Sequence, residues 1–281
     1  MGATGMTSTV RGAVLGSPVS HSLSPLLHRS IFSHLNLQLD YQAIEVSGGS
    51  LDAYLKENEY LFDYLSLTMP FKEEALSLPV EIDPLVGRIK SANTLIKREG
   101  EWTLYSTDGL GFVKALEAAG HSHFDSVLVL GAGGTARAVV GALDGLAKHV
   151  SVLGRTSTRS EVLQAAVVES EFSYLRWSDT PDLTPYDLVV NTTPAGAADI
   201  LANSVSNTFI SGSSAILFDV IYKPWPTVLA SRWKDSGGTV LNGSEMLLYQ
   251  GIAQVELALG LNLDYQDLAS VLRPILNSAI K

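Results

Sequence analysis

The chain has 281 residues, 46% of them hydrophobic and 17% charged, a composition typical of a folded α/β protein and unlike a disordered chain. Its formal net charge of −10 argues against broad nucleic-acid binding, and the absence of cysteine excludes disulfides and thiolate metal sites. No apolar run approaches the ~18 residues of a membrane span, and the start MGATGMTST lacks the features of a secretory signal. We therefore expect a cytoplasmic protein of two domains without membrane contact.

The first part of the chain predicts short strands at 10–15, 41–46 and 63–68, a helix at 51–57, and a hairpin that joins 94–96 to 102–105. Ser24 before Pro25 predicts a helix N-cap with proline at the first helical position. The hydroxyls of Ser22 and Ser24 would then lie at a helix N-terminus, where a carboxylate can bind. Turn and cap roles are the alternatives for these two hydroxyls.

Three polar residues stand at the ends of predicted elements. Lys72 opens a helical turn, where the helix dipole disfavours a cation, and an exposed surface lysine is the alternative to a functional one. Asn93 precedes a strand, where asparagine commonly bonds to its own backbone. Asp108 precedes a helix, and the local pattern favours a capping role for it.

Residues 126–147 predict a strand, a glycine turn and a helix in that order. The run 127–130 is short and continuously apolar, as in a central parallel strand. Gly131, Gly133 and Ala136 then follow the G-x-G-x-x-G/A spacing of dinucleotide-binding turns, in which the helix N-terminus receives a pyrophosphate. A glycine turn that binds nothing is the alternative. The apolar face of the predicted helix consists of Val139, Val140, Leu143, Leu146 and Ala147.

The next predicted strand, 149–153, ends in a segment that contains Arg155 and Arg159 and no acidic residue. In the dinucleotide fold an acidic residue at this place holds the ribose 2′-hydroxyl of NAD, whereas arginine accommodates the 2′-phosphate of NADP. The segment therefore predicts NADP, with two solvated arginines as the alternative. His121 and His123 are the only close histidine pair, and a solvated loop is favoured over a metal site there.

The remaining chain predicts parallel strands at 187–190, 215–220 and 239–241, each followed by a turn sequence, as strands with ligand loops at their carboxyl ends are. Helices at 245–259 and 263–280 follow. Gln250 interrupts the apolar pattern of the first of these helices, so its side chain is either half exposed or directed at a ligand.

Taken in order, nine sequence blocks between about Gly12 and Gln254 resemble the shikimate dehydrogenases, which reduce 3-dehydroshikimate to shikimate with NADPH in aromatic amino acid biosynthesis. The blocks are GSPVSHSLSPLLH, SLTMPFK, SANTL, TDGLGF, LGAGGTARAV, GRTSTR, NTTPAG, DVIYKPWPT and GSEMLLYQG. The resemblance implies an N-terminal α/β substrate domain, a Rossmann-like NADP-binding domain, and C-terminal helices that return to the substrate domain. We place the substrate domain at 1–108 and 243–281, and the NADP-binding domain at 109–242.

The resemblance also implies roles for individual residues. Lys72 and Asp108 would be the catalytic pair that stabilises or protonates the developing alkoxide, and which of the two carries the proton is left open. The substrate carboxylate would lie on the hydroxyls of Ser22 and Ser24. The ring and its hydroxyls would contact Thr68, Asn93, Tyr222 and Gln250. The cofactor NADP(H) would contact Gly131, Gly133, Gly134, Arg155, Thr156, Arg159, Thr192 and Gly243.

Three positions depart from the usual pattern of this family: Gly154 and Ser66 each replace an asparagine, and Ala197 replaces a methionine. Two other functions are kept as alternatives. An NAD-dependent quinate/shikimate dehydrogenase is opposed by the two arginines and by Ser24, where a bulkier threonine would look more quinate-like. A catalytically silent NADP-binding regulator is opposed by the presence of Lys72 and Asp108. We expect a small-molecule substrate, no bound metal, and a monomer or homodimer.

Overall fold

The computed structural model describes residues 9–179, 182, 183, 185–205 and 215–280. These residues form two six-stranded sheets, in the strand orders β2-β1-β3-β5-β6-β4 and β12-β11-β10-β7-β8-β9. Every helix in these ranges is too short or too polar to cross a lipid bilayer. The α/β class predicted from the sequence is confirmed.

The first sheet is mixed. Strands β1, β2 and β3 run parallel, and β5 and β6 form the predicted antiparallel hairpin beside β3. Its strands are β1 Val10–Gly16, β2 Leu39–Glu45, β3 Tyr64–Leu67, β4 Glu81–Ile82, β5 Thr94–Arg98 and β6 Glu101–Tyr105. The helices of this part of the chain are α1 Ser24–His34, α2 Leu51–Asn58, α3 Phe71–Glu74, α4 Pro84–Ile89 and α5 Asp108–Ala118.

The second sheet is parallel throughout. Its strand order reverses between β7 and β10, and in such sheets ligands bind beyond the carboxyl ends of the strands at this reversal. Its strands are β7 Phe124–Leu130, β8 Ala147–Gly154, β9 Glu171–Arg176, β10 Leu188–Asn191, β11 Ile216–Asp219 and β12 Thr239–Asn242. The remaining helices are α6 Gly134–Leu143, α7 Ser160–Ala165, α8 Val228–Asp235, α9 Gly243–Leu259 and α10 Tyr265–Ile280.

A continuous apolar core joins the two sheets through the helices between them. Phe112 of α5 packs edge to face on Phe218 of β11, with ring centroids 4.9 Å apart. The same cluster contains Leu27 of α1, Ile252 of α9 and Leu272 of α10. The C-terminal helices thus pack near the first sheet although they follow the second one in the chain. The domain boundaries that we place at 108/109 and 242/243 stay a prediction.

Helix α6 is shorter than the apolar pattern predicts. It ends at Leu143, so Leu146 and Ala147 are not on its apolar face, and Ala147 is already the first residue of β8. The reason is local: Asp144 has an extended backbone, and Gly145 has a positive φ of 80° that ends the helical path. The carboxylate of Asp144 accepts three backbone N–H groups of a neighbouring loop, which holds this turn in place.

Ser24 is not the N-cap of α1. Leu23 stands at that position, Ser24 is the first helical residue, and no side chain caps the helix. The backbone N–H of Ser24 instead donates a weak hydrogen bond to Ser22 Oγ, at 3.2 Å. Pro25 is therefore the second helical residue and not the first as predicted, a position that still belongs to the first turn, where proline is tolerated.

Candidate active site

A cavity of about 230 Å³ lies between the carboxyl-end loops of the first sheet and the N-terminal half of α9. It contains all the catalytic and substrate-contacting residues that the sequence predicts, together with Gly243 from the cofactor set. Residues of the first sheet and residues that follow strands of the second sheet therefore line the same cavity. The predicted residues in the lining are Ser22, Ser24, Thr68, Lys72, Asn93, Asp108, Tyr222, Gly243 and Gln250.

Lys72 and Asp108 form an ion pair in this cavity. Lys72 Nζ lies 2.5 Å from Asp108 Oδ2 and 3.1 Å from Thr135 Oγ1, which belongs to the first turn of α6. The lysine side chain is 20% exposed and the aspartate side chain 6%, so Lys72 is not the surface lysine of the alternative interpretation. Asp108 is not a cap either, because Thr107 precedes α5 and the Asp108 carboxylate points to Lys72.

Asn93 connects the ion pair to the rest of the cavity. Its Nδ2 donates to Asp108 Oδ1 at 3.0 Å and to Gln250 Oε1 at 3.1 Å. Its Oδ1 accepts a hydrogen bond from the backbone N–H of Thr107 at 2.8 Å. The prediction that Asn93 bonds to its own backbone is therefore wrong. Each oxygen of Asp108 thus has a donor, Lys72 on one side and Asn93 on the other, which fixes the orientation of the carboxylate.

The two serines lie at the start of α1. Ser24 is buried and Ser22 half-buried, and both line the cavity. The free backbone N–H groups of a helix N-terminus favour a negatively charged group nearby. Tyr222 lines the same cavity, and burial raises the pKa of its hydroxyl, which therefore stays protonated and able to donate at neutral pH.

A second polar network forms the floor of the cavity, and the sequence interpretation missed it. Gln254 Oε1 accepts from Ser66 Oγ at 2.8 Å, and its Nε2 donates to the Asn93 carbonyl at 3.0 Å. Ser66 in turn accepts from the Tyr41 hydroxyl at 2.6 Å. A signal was present: Gln254 follows Gln250 by four residues, so both amides lie on the same face of one helix.

The glycine turn lies beside this cavity. Gly131 has a φ of +105°, which L side chains rarely adopt, and a Cβ there would lie 2.7 Å from Thr192 Oγ1. A Cβ on Gly134 would lie 3.1 Å from Lys72 Cβ, so the turn reaches the catalytic lysine candidate. A Cβ added at Gly133 would have Arg159 Nη1 as its nearest neighbour, 4.0 Å away. The space next to Gly133 is therefore open. This open cradle of backbone at a helix N-terminus fits a pyrophosphate.

The predicted 2′-phosphate residues lie outside the cavity, after the end of β8. Arg155, Thr156 and Arg159 are exposed. Arg159 Nη1 extends back over the glycine turn and donates to the carbonyl of Ala132 and to Glu73 Oε1, both at 3.1 Å. The structure therefore brings Arg159 next to the glycine turn.

A larger cavity, of about 560 Å³, lies elsewhere and contains none of the predicted site residues. It is lined by Phe124, Ala147 and Ile216, the first residues of three parallel strands, and hence lies at the amino ends of the second sheet. Ligands of such sheets bind at the carboxyl ends, so the smaller cavity is the better candidate despite its size. His121 and His123 line the larger cavity, and the described residues contain no cluster of metal-binding side chains.

Comparisons with known proteins identify the family of the chain. Residues 14–95 match the family model "Shikimate dehydrogenase substrate binding domain", and residues 114–222 match "Shikimate / quinate 5-dehydrogenase". A shikimate dehydrogenase (NADP(+)) from Exiguobacterium sibiricum is 34% identical over 87% of this chain and 90% of its own length. One from Bacillus cereus is 32% identical over 88% of this chain and 91% of its own length.

Solved structures give the same result. The crystal structure of Mycobacterium tuberculosis shikimate dehydrogenase matches with a TM-score of 0.83 and 31% identity, over 94% of this chain and 99% of that one. Shikimate 5-dehydrogenase from Thermus thermophilus, in complex with NADP(H) and shikimate, matches with a TM-score of 0.80 and 32% identity, over 95% and 99% of the two chains. The chain belongs to the shikimate dehydrogenase family.

Proposed function

We propose that the chain catalyses the reversible, NADP-dependent reduction of 3-dehydroshikimate to shikimate, with the Lys72–Asp108 pair as its catalytic groups. The observation that carries this proposal is the position of the ion pair, which lies in a polar cavity and directly against the glycine turn. A dehydrogenase must bring substrate and cofactor to one reacting carbon, and this contact supports a substrate site and a cofactor site that lie side by side.

The cavity offers complementary groups to a small hydroxylated carboxylate. The hydroxyls of Ser22 and Ser24 at the N-terminus of α1 would hold the carboxylate. The ring hydroxyls would meet Thr68 and Tyr222, and also the amides of Asn93 and Gln250. Because the Asn93 amide already donates to Asp108 and to Gln250, and the Gln250 amide to the Leu247 carbonyl, both amides would enter the complex with their orientation fixed.

Lys72 and Asp108 would transfer the proton of the reacting hydroxyl group. When the ketone is reduced, the developing alkoxide needs a proton or a positive charge, and the Lys72 ammonium group provides both at one atom, Nζ. Asp108 holds Nζ at 2.5 Å and keeps it directed into the cavity. In the direction of alcohol oxidation the same pair would accept the hydroxyl proton. Which of the two groups carries the proton in the transition state is left open.

The residues of the glycine turn fit NADP. Gly131, Gly133 and Gly134 would hold the pyrophosphate, with Thr192 and Gly243 at the edges of the site, and Arg155, Thr156 and Arg159 would hold the adenosine 2′-phosphate. When bound, the nicotinamide supplies or takes up the hydride. The protein's part is to hold it against the substrate carbon beside Lys72.

The test is a four-way assay of purified protein: shikimate and quinate, each with NADP⁺ and with NAD⁺. We expect the highest kcat/KM for shikimate with NADP⁺. No turnover above the blank in any of the four would overturn the proposal, and tight NADP⁺ binding without turnover would indicate a silent regulator instead. A higher kcat/KM for quinate with NAD⁺ would favour the quinate-type alternative.

We further propose that the substrate domain comprises 1–108 and 243–281, and the NADP-binding domain 109–242. A cytoplasmic location and a monomeric or homodimeric state complete the proposal. Light scattering on the purified protein distinguishes the two oligomeric states, and a mass above that of a dimer would contradict both.

A further inference from the structure

Glu73 connects helix α3 with helix α6 and with the segment after β8, on the glycine-turn side of the Lys72–Asp108 ion pair. It follows Lys72 on the short helix α3, and a single oxygen, Oε1, receives two arginines from the other side of the cleft. Arg137 Nη2 of helix α6 lies 2.5 Å from this oxygen, and Arg159 Nη1 lies 3.1 Å from it. Nothing in the proposed reaction assigns a role to this glutamate.

The two arginines depend on Glu73 to different degrees. The side chain of Arg137 is 7% exposed, and its Nε and Nη2 have no well-aligned hydrogen-bond partner, so Glu73 supplies the charge that this buried guanidinium needs. The side chain of Arg159 is 49% exposed, and it also donates to the Ala132 carbonyl. For an exposed arginine, exchanging a carboxylate for another anion costs little free energy. For a buried arginine, losing its carboxylate costs much more.

We propose that Glu73 competes with the 2′-phosphate of NADP for Arg159, and so acts as a positioning residue that limits the affinity for the cofactor. When a 2′-phosphate binds, Arg159 transfers from Glu73 to the phosphate, and Glu73 stays with Arg137. This inference rests on the proposed function, in which Arg159 contacts the 2′-phosphate.

The competition has a specific consequence for binding. Breaking the Glu73–Arg159 contact is part of the binding of any ligand that carries a 2′-phosphate, and no part of the binding of a ligand that lacks it. Removing the Glu73 charge therefore strengthens binding of the first class only. Because Glu73 and Arg159 are both half-exposed, removing their contact should raise the affinity for a ligand with a 2′-phosphate by about two- to fivefold.

The experiment uses two probes, 2′,5′-ADP and 5′-AMP, whose dissociation constants are measured by calorimetry for the wild-type chain and for Glu73→Gln. The readout is the ratio of the 5′-AMP constant to the 2′,5′-ADP constant. We expect this ratio to rise by about two- to fivefold in the variant. Because both probes share the adenosine and one phosphate, a general loss of structure would weaken both and leave the ratio unchanged.

Two further variants make the test decisive. Glu161→Gln removes an exposed carboxylate two residues after Arg159, and its ratio should stay at the wild-type value. Glu73→Gln combined with Arg137→Met removes the buried charge together with its partner, so the ratio can still be measured if the single variant does not fold. We expect the double variant to show the same rise.

An unchanged or lower ratio in the folded Glu73 variants, or an equal rise in Glu161→Gln, would overturn the role of Glu73. If the wild-type chain already binds both probes equally, the assignment of Arg159 to the 2′-phosphate fails, and the competition fails with it. A wild-type preference for 2′,5′-ADP with no response to Glu73→Gln would overturn the competition and leave the proposed function intact.

Discussion

The two ends of the cleft are built differently, although they meet at the glycine turn. At the substrate end, Lys72, Asp108 and Asn93 are held by several short hydrogen bonds in a largely buried cavity. At the cofactor end, Arg155 and Arg159 are exposed. A chemical step needs groups that already stand in the productive geometry, whereas an anionic group can be met by exposed charges at the rim. We therefore expect changes at the substrate end to lower the rate, and changes at the cofactor end to lower affinity.

The largest effect is expected for Lys72→Ala. Loss of the ammonium group removes one member of the proposed catalytic pair and the partner of Asp108, so kcat should fall by about 10²-fold or more while KM stays within about tenfold. Steady-state kinetics with saturating NADPH measures both constants. Lys114→Ala, which removes an exposed lysine of α5, is the control and should leave both constants unchanged. A raised KM with an unchanged kcat would show that Lys72 is a binding residue. It would also contradict the expectation that changes at the substrate end lower the rate.

A smaller and different effect is expected for Arg159→Ala. Loss of the proposed charge-assisted hydrogen bond to the 2′-phosphate should raise the KM for NADPH by about tenfold and leave kcat nearly unchanged. The internal control is NADH, which has no 2′-phosphate, and its KM should change by less than about twofold. An equal rise for the two cofactors would show that Arg159 acts on a part that they share.

A buried histidine on the first-sheet side of the molecule should make the protein sensitive to acid. His28 stacks on Tyr41 with ring centroids 4.4 Å apart, and its Nδ1 is 2.8 Å from the Tyr64 hydroxyl. Burial lowers the pKa of His28 to about 3. Unfolding restores a pKa of about 6.5, so between these two values the unfolded chain binds a proton that the folded chain does not.

This difference predicts that the free energy of unfolding falls as the pH drops below about 6.5, by about 1.4 kcal/mol per pH unit from His28 alone. His28→Asn keeps a polar side chain that can donate to or accept from the Tyr64 hydroxyl, and it should remove this slope, although it lowers the stability at neutral pH. Urea unfolding of both proteins at pH 7 and pH 5 measures the difference. Parallel losses in the two proteins would assign the acid sensitivity to other groups.

The smallest effect is expected for Tyr174→Phe at the cofactor end. The Tyr174 hydroxyl donates to the Thr156 carbonyl at 2.6 Å, and a Cβ at position 154 would lie only 1.8 Å from that hydroxyl. Gly154 therefore leaves room for Tyr174 to support the loop that carries Thr156. Loss of one exposed hydrogen bond should raise the KM for NADPH by about two- to fivefold. A similar rise for NADH would indicate a role outside the 2′-phosphate site.

Much of the nucleotide-binding half could be predicted from local sequence. The apolar run of β7, the glycines after it and the helix that follows are neighbours in the chain, so their spacing alone specifies the strand, turn and helix. The end of α6 was predicted too late, since the apolar pattern continues past Gly145, where the backbone has already left the helical path. The resemblance to a known family supplied what local spacing could not, namely roles for Lys72 and Asp108.

Only the tertiary structure decided which partners these polar residues have. Asp108 at the start of a helix and Asn93 before a strand have good local explanations, because a side chain that can cap or turn its own backbone looks the same in sequence wherever it points. Their actual partners are distant: Lys72 is 36 residues from Asp108, and Gln250 is 157 residues from Asn93.

The sequence by itself determined the α/β class, the glycine turn and the arginines after β8, since those follow from local periodicity and residue type. The fold determined the hydrogen-bond network of the cavity by packing α9 on α5 and β5, and the ionic bridge at Glu73 by bringing α3 next to α6 and the segment after β8. Only the folded chain brings these side chains within bonding distance.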